Sequence, residues 1–204
     1  MKKSKITIIL LLCGIFVMIS NYYYQQRRRK ELAKELNNKA IEMIVKNAND
    51  STKIDSAIYY LNYAILLDTK NKSIYPNLAN AFLIKKQYRN AIIAMQNYQL
   101  INLSQDEKIG ASFINGIAYY CLGLEDSAII AWTTFDNYYK NKEEKTKSFN
   151  DNLQRILVLF LMNKPQQAEN LCNELIKKFP KEKIIIDEYS DYQKIKKLLP
   201  CNNN

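Results

Sequence analysis

The sequence predicts an all-α protein, and three observations carry the prediction. Only four Gly and four Pro occur in 204 residues, so turn formers are scarce. Apolar residues recur at three- and four-residue spacing, with little strict alternation. An alanine that follows a polar break returns at Ala57, Ala91, Ala128 and Ala168, in steps of 34, 37 and 40 residues. A self-similar period of this length marks a repeat architecture. The length suits one domain with a sizeable core.

The formal net charge of +10 suggests a nucleic-acid partner until it is located. Seven positive residues and no acid lie in residues 1–30, which leaves 23 basic against 20 acidic residues elsewhere. A duplex-binding face needs its positive charge on the folded body, so no nucleic-acid partner is expected.

The N-terminal thirty residues, "MKKSKITIILLLCGIFVMISNYYYQQRRRK", run uncharged from Ile6 to Gln26. About 20 mostly apolar residues span a bilayer, and residues 6–24 reach that length if Tyr22, Tyr23 and Tyr24 lie in the headgroup layer. An uncleaved anchor over 1–30 is therefore the expectation. A cleaved signal peptide is the first alternative, but Val17 and Met18 crowd the candidate site at Ser20. Lipidation at Cys13 is the second, against which stand the preceding Leu12 and the apolar run beyond. Both flanks are positive, so charge alone does not orient the segment. By analogy with N-in anchors of exported bacterial proteins, the expectation is a single-pass inner-membrane protein with residues 31–200 outside the cytoplasm.

Along residues 31–200 each alanine stands in a constant register. Nine residues upstream lie Ala48, Phe82, Tyr119 and Leu159; twelve upstream lie Val45, Ala79, Gly116 and Ile156. Four and seven downstream lie Leu61 and Ala64, Met95 and Tyr98, Trp132 and Phe135, and Cys172 and Leu175. The longer later steps are assigned to polar insertions, "SQDE" and "NKEEKTK". The units are placed at 38–70, 72–104, 106–140 and 147–180. A capping helix is expected at 184–199, with "PCNNN" frayed beyond it.

This register resembles the tetratricopeptide repeat (TPR), a helix–turn–helix unit of 34 residues. The likeness is most specific in "LANAFLIKKQYRNAI" and "INGIAYYCLGLEDSAIIAW". It covers about residues 38–180. Ala48 departs from the family's usual aromatic, and Ile156 from its usual small residue. The resemblance implies a right-handed α-solenoid of four hairpins, each burying an apolar face on the next.

The resemblance also implies a concave groove, lined by the first helix of each pair, that takes extended peptides. The residues this chain would place there are Glu42, Lys46 and Asn49, then Pro76, Asn80 and Leu83, then Phe113, Ile117 and Tyr120, then Leu153, Leu157 and Phe160. The protein-binding candidates are Asn80, Leu83, Phe113, Ile117, Tyr120, Leu153, Leu157 and Phe160. The family's clamp for a C-terminal carboxylate is not expected, because only Asn80 is suggestive. The apolar half has two readings: an exposed binding patch, or an internal surface beneath the chain's own C-terminal segment.

No His is present, and no phosphate-cradling Gly loop or nucleophile elbow is found. Neither an enzyme nor a bound cofactor or metal is expected. Cys13, Cys121, Cys172 and Cys201 show no metal spacing or disulfide framework and are read as buried or incidental thiols, with a pair that meets in space left open. The expected function is a membrane-anchored scaffold that takes a protein or peptide partner through its groove. The alternative is a permanent structural subunit of an envelope complex. The oligomeric state stays open.

Overall fold

The computed structural model describes the backbone of residues 2–143 and 148–201, and the side chains of 13–143 and 148–201 other than those at 192 and 198. Its described residues are all-helical, with no strand among them. The chain divides into two compact units, Met1–Ile74 and Tyr75–Asn204.

The first unit is a pair of helices, α1 (Lys2–Lys46) and α2 (Ser51–Leu67), packed on one another. No break separates the expected anchor segment from the first repeat. Residues 20–36 contain no Gly or Pro and are rich in Gln, Arg, Lys, Glu and Leu, which favour helix. An i,i+4 pair between Arg27 and Glu31, 3.0 Å apart, lies at the join. Among the described residues no helix is long and apolar enough to cross a membrane. The expected span at 6–24 begins with residues 6–12, whose side chains lie outside those described; the side chains of residues 13–24 are all exposed.

The seam of this unit is not the expected one. Val45 is 75% exposed and Ala48 lies in the turn, so neither meets α2 as the repeat register requires. Ala33, Asn37 and Ala40, spaced four and three apart, are the buried side of α1, and α2 buries Ile54, Ala57, Leu61 and Ala64. The physical reason is the cap. Asp50 accepts hydrogen bonds from the backbone N–H of Thr52 and Lys53, which starts α2 a turn early and moves the crossing back along α1.

The second unit contains α3 (Ile74–Ile84, entering from the first unit by its first residue), α4 (Tyr88–Gln99), α5 (Gln105–Cys121), α6 (Glu125–Asn141), α7 (Phe149–Leu161) and α8 (Pro165–Lys178). Three of its turns are copies of one another. Lys86, Gly123 and Asn163, each five residues before its alanine, have φ of 56°, 74° and 57°. The next N–H in each case donates back to a carbonyl five residues earlier: Gln87 to Phe82 at 2.8 Å, Leu124 to Tyr119 at 2.9 Å, and Lys164 to Leu159 at 2.8 Å. A left-handed residue with this bond ends one helix and turns the chain straight into the next.

Size complementarity explains the departure at Ile156. A Cβ built on Gly116 would lie 2.1 Å from Trp132 Nε1, so the indole occupies the space of the missing side chain. The equivalent positions of the other pairs carry Ala79 with Met95 and Ile156 with Cys172, all buried. The position twelve before the alanine shrinks as the one four after it grows. Ile156 and Cys172 share one core cluster, so the large residue is accommodated by a small partner.

Two further expectations are corrected. "SQDE" is not a loop insertion: Ser104 Oγ accepts from Glu107 N–H at 3.3 Å and the Glu107 carboxylate accepts from Ser104 N–H at 2.6 Å, a capping box that opens α5. Of the second insertion, residues 144–147 lie outside the described residues. The single capping helix at 184–199 is instead a 3-10 turn (Pro180–Glu182), α9 (Lys183–Ser190) and α10 (Tyr192–Leu198). Asp191 divides the two helices by accepting from the N–H groups of Gln193 and Lys194.

Gly116→Ala should cost about 1–3 kcal/mol by overpacking. In a Trp132→Met background, which copies the Ala79–Met95 pair, most of that loss should vanish. A double-mutant cycle by denaturant unfolding checks the coupling, and additive effects would refute the complementarity. Lys86→Gly, which relieves a left-handed backbone, should stabilise by about 0.5–1 kcal/mol in the same assay.

Candidate groove on the first helices

The eight expected groove residues separate into three groups. Asn80 on α3 is exposed. Phe113, Ile117 and Tyr120 on α5 and Leu157 on α7 are half-buried. Leu83, Leu153 and Phe160 are buried, which corrects their expected exposure to a partner.

The cause for Leu153 and Phe160 is the C-terminal segment. Both belong to a cluster with Ile156, Leu159, Ala168, Cys172, Leu175, Ile186 and Ile195, and Leu157 packs against its edge. Ile186 of α9 and Ile195 of α10 are fully buried there. Of the two readings of the apolar half, the structure takes the internal one. Sequence periodicity alone cannot separate them, because an all-round apolar helix reads the same under protein as in a binding patch.

A disulfide joins Cys121, the last residue of α5, to Cys201 beyond α10, with Cα atoms 5.2 Å apart across 80 residues. The reading of these cysteines as incidental thiols is corrected, and so is the frayed end at 201; residues 202–204 lie outside the described residues. Sequence spacing cannot reveal such a pair, since it depends on α9 and α10 folding back over α7. The remaining thiols are Cys13, exposed, and Cys172, whose pKa burial pushes up to about 11.

What stays open is a cavity of about 270 Å³ lined by Pro76, Asn80, Glu107, Phe113, Ile114 and Gln154 among others. It brings Asn80 and Phe113 of the expected set together with Gln154, which the sequence reading did not single out. Met95 and Tyr98 of α4 form buried parts of its wall. Phe113 packs on Phe135 with tilted rings, centroids 5.3 Å apart, and further along α5 Tyr120 packs on Trp132 in the same way at 5.7 Å. These contacts hold the aromatic wall in place.

Charges brace the helices around the cavity. Arg155 Nε donates to Asp136 Oδ1 at 3.0 Å, a largely buried pair joining α7 to α6. Asp106 accepts from the Tyr138 hydroxyl at 2.5 Å and from Lys142 Nζ at 3.0 Å. The Tyr138 hydrogen bond, then that of Lys142, holds the Asp106 carboxyl below the usual range. Burial raises the Tyr139 hydroxyl. In the first unit the polar candidates Glu42 and Lys46 are spent on each other, 2.7 Å apart on an exposed surface.

Comparison with family models, with curated proteins and with solved structures returns no match to this chain.

Truncation after Lys181 should expose Leu153 and Phe160 and remove Ile186 and Ile195 from the core. Helical circular dichroism should fall and unfolding should lose cooperativity. A truncated chain with unchanged melting would show that α9 and α10 are dispensable to the core.

Proposed function

We propose that the chain is a non-enzymatic TPR-type α-solenoid, tethered to the inner membrane by residues 6–24, that binds a protein or peptide partner through its first helices. The cavity that gathers Asn80, Phe113 and Gln154 carries this reading. A pocket with an aromatic wall and amide groups at its mouth suits an extended backbone, whose N–H and C=O groups need partners. The groove is shorter than the resemblance implies, because α9 and α10 cover the face of α7.

The disulfide supports a position outside the cytoplasm, since such bonds persist in oxidising compartments. The uncharged run of residues 6–26 and the basic flank that follows support the tether.

The second reading, a permanent subunit of an envelope complex, is favoured by a different face. Within the second unit Ile93 and Ile130 each stand two residues after a register alanine and are both exposed, which suits an obligate contact.

Photo-crosslinkers placed singly at positions 80, 113, 130 and 169 in the native host separate the two. Discrete adducts at 80 and 113, absent at the exposed control position 169, are expected. One stoichiometric adduct at 130 alone would establish the permanent subunit and reject capture.

A further inference from the structure

We infer that the C-terminal end of α2 is a second membrane contact, which seats the first hairpin directly on the headgroups of an anionic bilayer. The inference rests on the tether proposed above and goes beyond it.

The geometry begins with a single hydrogen bond. Arg29 Nη2 donates to the carbonyl of Leu66 in the last turn of α2, at 3.3 Å. A guanidinium on a last-turn carbonyl satisfies an acceptor that has no partner within the helix and opposes the negative end of the helix dipole. It also sets the end of α2 level with the basic belt of α1. The helix is continuous between Tyr24 and Arg29, so five residues at 1.5 Å each raise Arg29 about 7.5 Å above Tyr24. One headgroup layer is about 5–7 Å thick. With the tyrosines at the hydrocarbon boundary, Arg29 and Leu66 both reach the outer headgroups.

The chemistry at that level suits lipid phosphate rather than acyl chain. Arg27, Arg28, Arg29 and Lys30 lie on α1, and Lys70 and Lys72 lie in the turn after α2; Glu31 and Asp68 are the acids among them. Glu31 pairs with Arg27, and Asp68 Oδ1 accepts from the backbone N–H of Lys70. Six cations against these two acids leave the belt with a net positive charge. Leu66 is 71% exposed beside it, and Tyr63 is exposed one turn earlier. An apolar side chain and a tyrosine beside cations make the mixture that an interfacial layer takes up.

The full chain with Cys13→Ser and Leu66→Cys, labelled at position 66 with an environment-sensitive dye, is reconstituted in phosphatidylcholine vesicles with and without phosphatidylglycerol. Lipids carrying a nitroxide on the headgroup serve as quencher. The control label replaces Val45, which is exposed and about 24 Å further along α1 at the same rise per residue.

Quenching at 66 but not at 45 is expected, stronger with phosphatidylglycerol, and about twofold weaker at about 1 M salt, where screening shortens to about 3 Å. Equal and weak quenching at both positions, in chain that still floats with the vesicles, would overturn the second contact and leave the tether standing. Chain that fails to float with either vesicle would overturn both. Quenching at 66 that ignores both lipid charge and salt would overturn the anionic character of the seat.

Discussion

The crossing of two helices at a point where their side chains must share one volume governs the second unit. Gly116 and Trp132 show it most sharply, because the indole fills the place where any Cβ would stand. Close-packed interiors leave no slack for both partners to be large. A small residue at one position therefore permits a large one at the other, and the pairs Ala79 with Met95 and Ile156 with Cys172 obey the same rule. The left-handed turns serve this constraint. Lys86, Gly123 and Asn163 reverse the chain in so few residues that both helices are delivered to the crossing in the same register each time.

Legibility in the sequence followed this constraint. The four register alanines are all fully buried, and the positions four and seven residues after them are all buried. All of them lie within helices, where periodicity speaks clearly. The first pair departs from the expected register because Asp50 advances the start of α2, a local cap that overrides the repeat spacing. Val45 and Ala48 then carry no packing role against α2, and Ala33 and Ala40 take it over. The capping box at Ser104 and Glu107 carries a readable signal, a Ser followed three residues later by Glu, within a polar stretch whose composition equally suits a loop. The disulfide had none, since nothing local to Cys121 or Cys201 encodes their meeting.

The candidate groove was legible only in part for a related reason. Asn80 and Phe113 line the cavity, and Gln154 joins them from α7. Leu153 stands on the helical position equivalent to Phe113, and Phe160 on that of Tyr120, but both are consumed by the core that α9 and α10 complete. Whether a first-helix residue faces solvent depends on what lies over it, a tertiary fact that no periodicity contains. The Cys121–Cys201 link adds a constraint on the unfolded chain by closing a long loop, which favours the covered state over one with the segment released.

The same reasoning bears on α1. A flexible linker between an anchor and a folded hairpin would let the hairpin sample all orientations, and any surface contact would then have to overcome that entropy. Here residues 24–33 are helical without interruption and lead from the exposed tyrosines to the first buried alanine. The direction of α2 relative to the axis of α1 is held by the buried seam and by the Arg29–Leu66 bond. Ordering has already been achieved by folding, so weak individual contacts at the end of α2 need offset little further entropy to persist. On the proposed tether, a continuous helix would hold the basic belt at a defined height.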